Sequence, residues 1–352
     1  MMKKNIITLF EKYAKKTGSY DNLKAMVFEK YGDPNVLKIA EVKKPEPKDN
    51  EILVNIKITT VGIGDIMARQ GVTRNNFNMP IILFPMVKLM FGLRKPKKSI
   101  QILGSEFGGV IESVGKNVTT FSAGDRVFGY RADKMGCNAE YLVVSEKSLL
   151  TKMPDGMKYE SIVPGVYGTL TAYLLLKDRV KTGQKILILG ASGNIGGYGV
   201  QIAKHLGAEV TGVCSTSKLD YVKSLGADHV IDYTKEDFTK NSEKYDVVFD
   251  ILGKYSYGKI KHSLNKNGRY LCASFSTRKV LQMILHKLIR KSKRIVCAMA
   301  MDKPTDIIQV KELLEKGQVI VIKDKEFSLE QLSIAHTHME NGHKKGALII
   351  TI

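Results

Sequence analysis

No histidine occurs in the first two hundred residues; all seven lie at position 205 or beyond. That excludes a histidine-ligated metal in the N-terminal half. Cysteine is scarce too. The four cysteines, at 137, 214, 272 and 297, fall at no metal-ligand spacing and outline no disulfide framework. Three lie in or at the end of apolar runs (VTGVC, YLC, RIVC) that read as buried strands, which suits a reducing compartment. No apolar run approaches the roughly 18 residues of a membrane span. The opening MMKKNIITLF has too short an apolar core for a secretory signal, and no small-residue cleavage site follows it. The expectation is a soluble, cytoplasmic protein. Internal repeats and low-complexity tracts are absent as well.

What is present suits two domains. The chain has 352 residues, 43% hydrophobic and 26% charged, enough to bury sizeable cores. Its formal net charge of +20 favours polyanionic partners or phosphorylated cofactors. The lysines are spread along the whole chain and no nucleic-acid motif accompanies them. A solvated surface therefore accounts for most of the charge, and no nucleic-acid partner is expected.

Residues 1–22 read as a short basic extension. Over 23–150, short strands separated by Pro, Gly and Asp-Asn describe an all-β, barrel-like unit (KAMVFEKYG, LKIAEV, EILVNIKITTVG, AEYLVVS). Over 151–300 the pattern alternates between apolar strands and helices, the signature of a parallel sheet covered on both faces. Residues 301–352 return to mixed elements and are expected to pack back onto the β unit.

The strongest motif is KILILGASGNIGGYGVQIAKHLG. An apolar strand leads into Gly190-Ala191-Ser192-Gly193-Asn194-Ile195-Gly196, and an amphipathic helix follows. Gly190 permits the tight turn, Gly193 lets backbone approach a pyrophosphate, and Gly196 lets the helix pack close to the strand. The helix N-terminus then offers N–H groups and a positive dipole end to an anion. At the end of the next strand an Asp or Glu would hold the ribose hydroxyls of NAD. Here Cys214-Ser215-Thr216-Ser217-Lys218 stands instead, and no carboxylate occurs until Asp220. Hydroxyls and a lysine suit a 2′-phosphate, so NADPH is expected over NADH. The same Ser and Thr residues also suit a helix cap.

This turn, with LGADHVIDY, the barrel segment FGLRKPKKSIQILGSEFGGVIESVGKNVTTFSAGDRVFGY and the ending GHKKGALIITI, resembles the quinone oxidoreductase branch of the medium-chain dehydrogenase/reductases over about residues 24–352. The resemblance implies an α/β protein: a GroES-like β-barrel catalytic domain plus a Rossmann domain with a doubly wound parallel sheet, the cofactor lying in the cleft between. It places Ser192, Asn194 and Ile195 at the pyrophosphate, Ser215 and Lys218 near the 2′-phosphate, and Tyr233 by the adenine. Leu252 falls by the ribose and Thr171 near the nicotinamide. Two departures stand out. Asn194 replaces a glycine, and the closing Gly-Lys of the family is Gly346-Ala347, which loses a lysine contact at that point.

Zinc-dependent relatives draw ligands from two positions that here hold Gly62 and Ser105 and from a third near Tyr167, so no metal is expected. Without zinc there is no Lewis acid to polarise an alcohol oxygen, whereas a quinone or an α,β-unsaturated carbonyl accepts hydride with less help. The leading expectation is a zinc-independent, NADPH-dependent reductase of such acceptors. A zinc-free alcohol or aldehyde oxidoreductase and a non-catalytic NADPH-binding sensor or structural protein are the alternatives. Asp65 and Tyr130 fall in barrel segments that line the family's cleft. Each is a candidate for the chemistry, against a turn-making role for Asp65 and a packing role for Tyr130.

Two segments join apolar and basic character: MPIILFPMVKLMFGLRKPKK, and residues 278–294, which carry seven Arg or Lys and no acid. In the second, Val280, Leu281, Ile284, Leu285 and Leu288 share a helical stripe. Such a stripe suits peripheral contact with an anionic membrane or packing on the core; packing is the favoured expectation. RIVCAM, as a last sheet strand, suits pairing in a homodimer.

Overall fold

The computed structural model describes residues 22–73, 79–131, 134–342, 344 and 346–352. All but the last residue of the N-terminal extension expected at 1–22 lies outside them.

The first unit begins with an antiparallel pair, β1 (Asn22–Val27) and β2 (Lys38–Lys43). Next come β3 (Glu51–Val61), the helices α1 (Ile63–Gln70) and α2 (Phe84–Phe91), then β4 (Glu106–Val114), β5 (Arg126–Tyr130), β6 (Tyr141–Ser145) and β7 (Leu149–Lys152). The expected all-β text is thus corrected at two places, because Ile63–Gln70 and Phe84–Phe91 are helical.

Helix α3 (Val166–Leu176) leads into the second unit. Its strands are β8 (Lys185–Leu189), β9 (Glu209–Cys214), β10 (His229–Asp232), β11 (Tyr245–Asp250), β12 (Leu264–Cys272) and β13 (Arg294–Cys297). Between them lie α4 (Asn194–His205), α5 (Leu219–Ser224), α6 (Tyr257–Ile260) and α7 (Thr277–Leu288). All strand pairs here are parallel, in the order β10-β9-β8-β11-β12-β13. This is the doubly wound order, and its switch point lies between β8 and β11. The near-continuous apolar text of β8 (KILIL) follows from its place: four of its five residues are buried, since helices cover both faces.

The chain then returns through α8 (Asp306–Glu315), β14 (Lys323–Ser328), α9 (Leu332–Glu340) and β15 (Ala347–Thr351). β15 enters the first unit's sheet, whose order is β14-β15-β3-β4-β5-β7 with β6 also on β3. The outer side of β3 is divided: β6 pairs with residues Glu51–Asn55 and β15 with Ile58–Val61. A barrel-like sheet and a parallel doubly wound sheet therefore share the chain. One apolar cluster joins them, running from Ile58 and Phe128 through Val166 and Leu170 to Ile188 and Val200. Gln201 adds a two-point clasp: its side chain donates to Ile320 O (3.2 Å) and accepts from Ile320 N (2.8 Å).

The stripe on α7 is a correction to the packing expectation. Val280 packs on the core, but Leu281, Ile284, Leu285 and Leu288 are exposed. Periodicity shows that a helix has an apolar face, not what covers it.

Candidate cofactor and acceptor site

The turn between β8 and α4 is built as a cradle. Gly190 has φ +85°, a left-handed conformation that a side chain resists. A Cβ on Gly196 would stand 2.0 Å from Gly190 O and 3.0 Å from Ala191 Cα, so helix and strand touch there through backbone alone. Helix α4 is twelve residues long, has no acidic residue in its first turn, and no side chain caps it at Gly193. Its N-terminal end therefore presents a positive dipole and N–H groups to an anion. These features fit a dinucleotide's diphosphate.

Ser192, Gly193 and Asn194 line a narrow cleft whose far wall is Ile320, Lys344 and Ala347. Sequence reading missed Lys344, which reaches the turn from the return segment. Burial lowers its pKa, against the pull of Glu106 and Asp324. Ser215 and Lys218 follow β9, and Lys218 Nζ donates to Lys344 O at 2.5 Å. Asp232, at the end of the neighbouring β10, is occupied: its oxygens accept from Thr216 Oγ1 (2.5 Å) and Thr234 Oγ1 (2.7 Å).

Tyr233 and Leu252, at the C-terminal ends of β10 and β11, are exposed, and Leu252 lies over Gly190. A buried network holds the Leu252 loop. Asp250 accepts from Gly253 N (2.8 Å) and from the Tyr270 hydroxyl (2.5 Å), and Lys279 donates to Gly253 O (2.9 Å). None of this network announced itself as local text.

A second cavity, of about 260 Å³, opens beside the turn. Thr171, Tyr167, Tyr130, Ile195, Met299 and Asp302 line it. The rings of Tyr130 and Tyr167 stack at 5.3 Å. Burial, then Tyr167 and Glu106, push the Tyr130 phenol far above its ordinary range, so it stays a neutral donor. Asp65 does not line this cavity. Its oxygens accept from Gly62 N and Gly104 N, both at 2.8 Å, and burial raises its pKa to about 6.

Glu106 sits between the sheet and α3. It accepts from Thr60 Oγ1 (2.5 Å) and Tyr167 N (2.7 Å), and burial pushes it up to about 7. A carboxyl raised in the fold contributes its full stability below its unfolded pKa and loses it as pH rises through 7. Glutamine can accept from Tyr167 N with its oxygen and donate its amide to the Thr60 hydroxyl, without the charge. Glu106→Gln should therefore gain on the wild type between pH 5 and pH 8, by roughly 2–3 kcal/mol. Melting curves at both pH values would show this; a gap that does not widen with pH would refute it.

Among the described residues, no group of three or more His, Cys, Asp or Glu converges as a metal site. His336 is buried and accepts from Arg69 Nε (3.2 Å), while His338 meets Asp324 at 3.0 Å, so the pair diverges.

Comparison with known proteins agrees with this geometry. An alcohol dehydrogenase GroES-like domain model matches residues 48–155, and a model described as a zinc-binding dehydrogenase matches residues 225–350. Quinone-oxidoreductase QR1, chloroplastic, of Triphysaria versicolor is 29% identical over 341 residues, covering 93% of this chain and 98% of the relative. The chain is a quinone oxidoreductase-like medium-chain dehydrogenase/reductase. As a member of that family it is an oxidoreductase using a nicotinamide cofactor.

The NADPH-dependent alkenal/one oxidoreductase, chloroplastic, of Arabidopsis thaliana is 31% identical over 242 residues, 66% of this chain and 58% of that one. The solved quinone oxidoreductase of Coxiella burnetii shares the fold, with a TM-score of 0.79 at 24% identity, over 94% of this chain and all of the other. Among the described residues no helix is long and apolar enough to cross a membrane.

Proposed function

We propose that this dehydrogenase/reductase is a zinc-independent reductase that uses NADPH to reduce a quinone or an α,β-unsaturated carbonyl. The end of β9 carries the cofactor choice. Ser215 and Lys218 stand where a ribose-binding carboxylate would, Asp232 is taken up by two threonines, and Lys344 adds a second cation nearby. Bound NADPH supplies a hydride from C4 of its nicotinamide. The residues of the chain do the rest. The Gly190–Gly196 turn holds the diphosphate, Ser215 and Lys218 the 2′-phosphate, and Tyr233 and Leu252 flank the adenosine. Thr171 walls the nicotinamide end of the cavity. Tyr130, a neutral phenol facing that space, is placed to donate a hydrogen bond to the acceptor's oxygen.

Zinc independence rests on residue identity. Gly62 has no donor side chain, Ser105 replaces a histidine, and Tyr167, near the third position, is a half-buried phenol stacked on Tyr130. β13 is an edge strand, and we extend the reading to a homodimer paired there.

Steady-state rates with NADPH and NADH across a panel of quinones and enals test this. NADPH should be preferred, chelator should have no effect, and Lys218→Ala should raise the NADPH KM roughly 10-fold or more with little change for NADH. Tyr130→Phe should lower kcat by roughly 10- to 100-fold. Saturable NADPH binding without turnover on any acceptor would end the reductase reading.

A further inference from the structure

Two stretches of this chain contain no acid. None occurs from Ile66 to Ser105, nor from Ile251 to Met301, where twelve Lys or Arg fall. The fold brings their apolar parts together: Ile81 N, just before α2, donates to Thr277 Oγ1, in the first turn of α7, at 2.9 Å.

Around this junction large aliphatic side chains stand in solvent. Ile82 is 83% exposed and Leu288 74%, with Met86 and Leu89 on one segment and Leu281 and Leu285 on the other also exposed. On α7 the exposed set recurs at i, i+3, i+4 and i+7, a single stripe. Lys88, Arg94 and Lys95 accompany the first segment, and Lys287, Arg290 and Lys291 the second. Solitary exposed apolar residues need no explanation; a contiguous apolar face rimmed by one sign of charge marks an interaction surface.

We propose that this α2–α7 face docks on an anionic lipid bilayer. The argument is charge complementarity combined with the kind of apolar group. Aliphatic side chains enter the acyl boundary while the cations meet anionic headgroups. A second copy seated face to face would set the cations of these two acid-free segments against one another. A nucleic acid would be met by stacking aromatics and base-reading donors, and the exposed groups here are aliphatic. Resting on the reductase reading, the acceptor that suits such a surface is lipid-soluble.

Vesicle flotation of the full chain tests the docking without relying on turnover. With about 30% phosphatidylserine in phosphatidylcholine and about 0.05 M salt, the protein should float; with phosphatidylcholine alone, or at about 0.5 M salt, it should stay behind. The double variant Ile82→Ser/Leu288→Ser should weaken binding roughly 10- to 100-fold, with the melting temperature unchanged. Lys287→Glu/Arg290→Glu should weaken it on anionic vesicles in a salt-sensitive way, and gives an independent check should the first variant melt early. Absence of flotation with anionic vesicles, equal flotation with neutral ones, or undiminished binding by folded variants would overturn the proposal. So would loss of a dimer in the serine variant with vesicle binding intact, which would make this face an interface between copies. Failure of the acceptor panel with flotation intact would instead count only against the reductase.

Discussion

Gly196→Ala is expected to lose NADPH binding by at least about 100-fold and to destabilise the fold by roughly 2–4 kcal/mol. The added methyl would lie 2.0 Å from Gly190 O, 2.8 Å from its carbonyl carbon and 3.0 Å from Ala191 Cα. All three are backbone, so no side chain can rotate away. Either α4 lifts off β8 or the turn changes shape, and both dismantle the phosphate cradle. Gly193→Ala is the contrast. Its methyl would meet only Gly190 O, at 3.3 Å, so the fold should lose little while cofactor binding still suffers where backbone must approach the diphosphate. Fluorescence titration with NADPH and calorimetric melting separate the two effects. Wild-type affinity in the Gly196 variant would show that the dinucleotide binds elsewhere.

Arg69→Met should cost about 3–5 kcal/mol, the loss expected when one partner of a buried ionic network is removed. Arg69 is fully buried on α1 and is the largest such side chain. Its guanidinium donates to Gly32 O, to Glu340 Oε1 (2.5 Å) and, through Nε, to His336 Nδ1. Methionine fills the volume but leaves a carbonyl, a carboxylate and an imidazole short of donors. The contact also joins α1 to α9, segments far apart in sequence, so its loss should be felt by the whole first unit. A fall in melting temperature of roughly 6–15 °C is the expected reading. His336 is already held down to about 3, by burial first and by the Arg69 charge next, so it stays neutral and cannot replace the lost cation at neutral pH. A variant melting within roughly 2 °C of the wild type would mean the network is offset by its own desolvation.

Much of the second unit was legible because its signals are local. Apolar runs such as KILIL and YDVVFD, each followed by a helix or a glycine turn, suffice for parallel strands, and the spacing of three glycines suffices for the cradle. Elsewhere the information is tertiary. β14 reads KDKEFS, with Phe327 its one large apolar side chain, because it lies at the edge of its sheet. Helix α1 hid in text that continues a β pattern, and its N-terminal carboxylate, Asp65, is spent on Gly62 and Gly104 rather than on the cavity. Lys344 lies within the ending GHKKGALIITI, but nothing local marks it as a contact; only the return of the chain to the first sheet brings it to the phosphate turn. The stripe on α7 was visible, but its solvent exposure was not, since amphipathicity is the same whether water, lipid or protein faces the helix.

The divided flank of β3 bears on how the molecule is made. One half of that flank waits for β15, which the ribosome delivers only after the whole parallel sheet has been synthesised. During translation the first unit keeps unpaired amides and carbonyls beside Ile58–Val61, a template for stray strands, while the second unit already has every strand it needs. Nascent chains arrested before β15 should therefore be the species that chaperones hold.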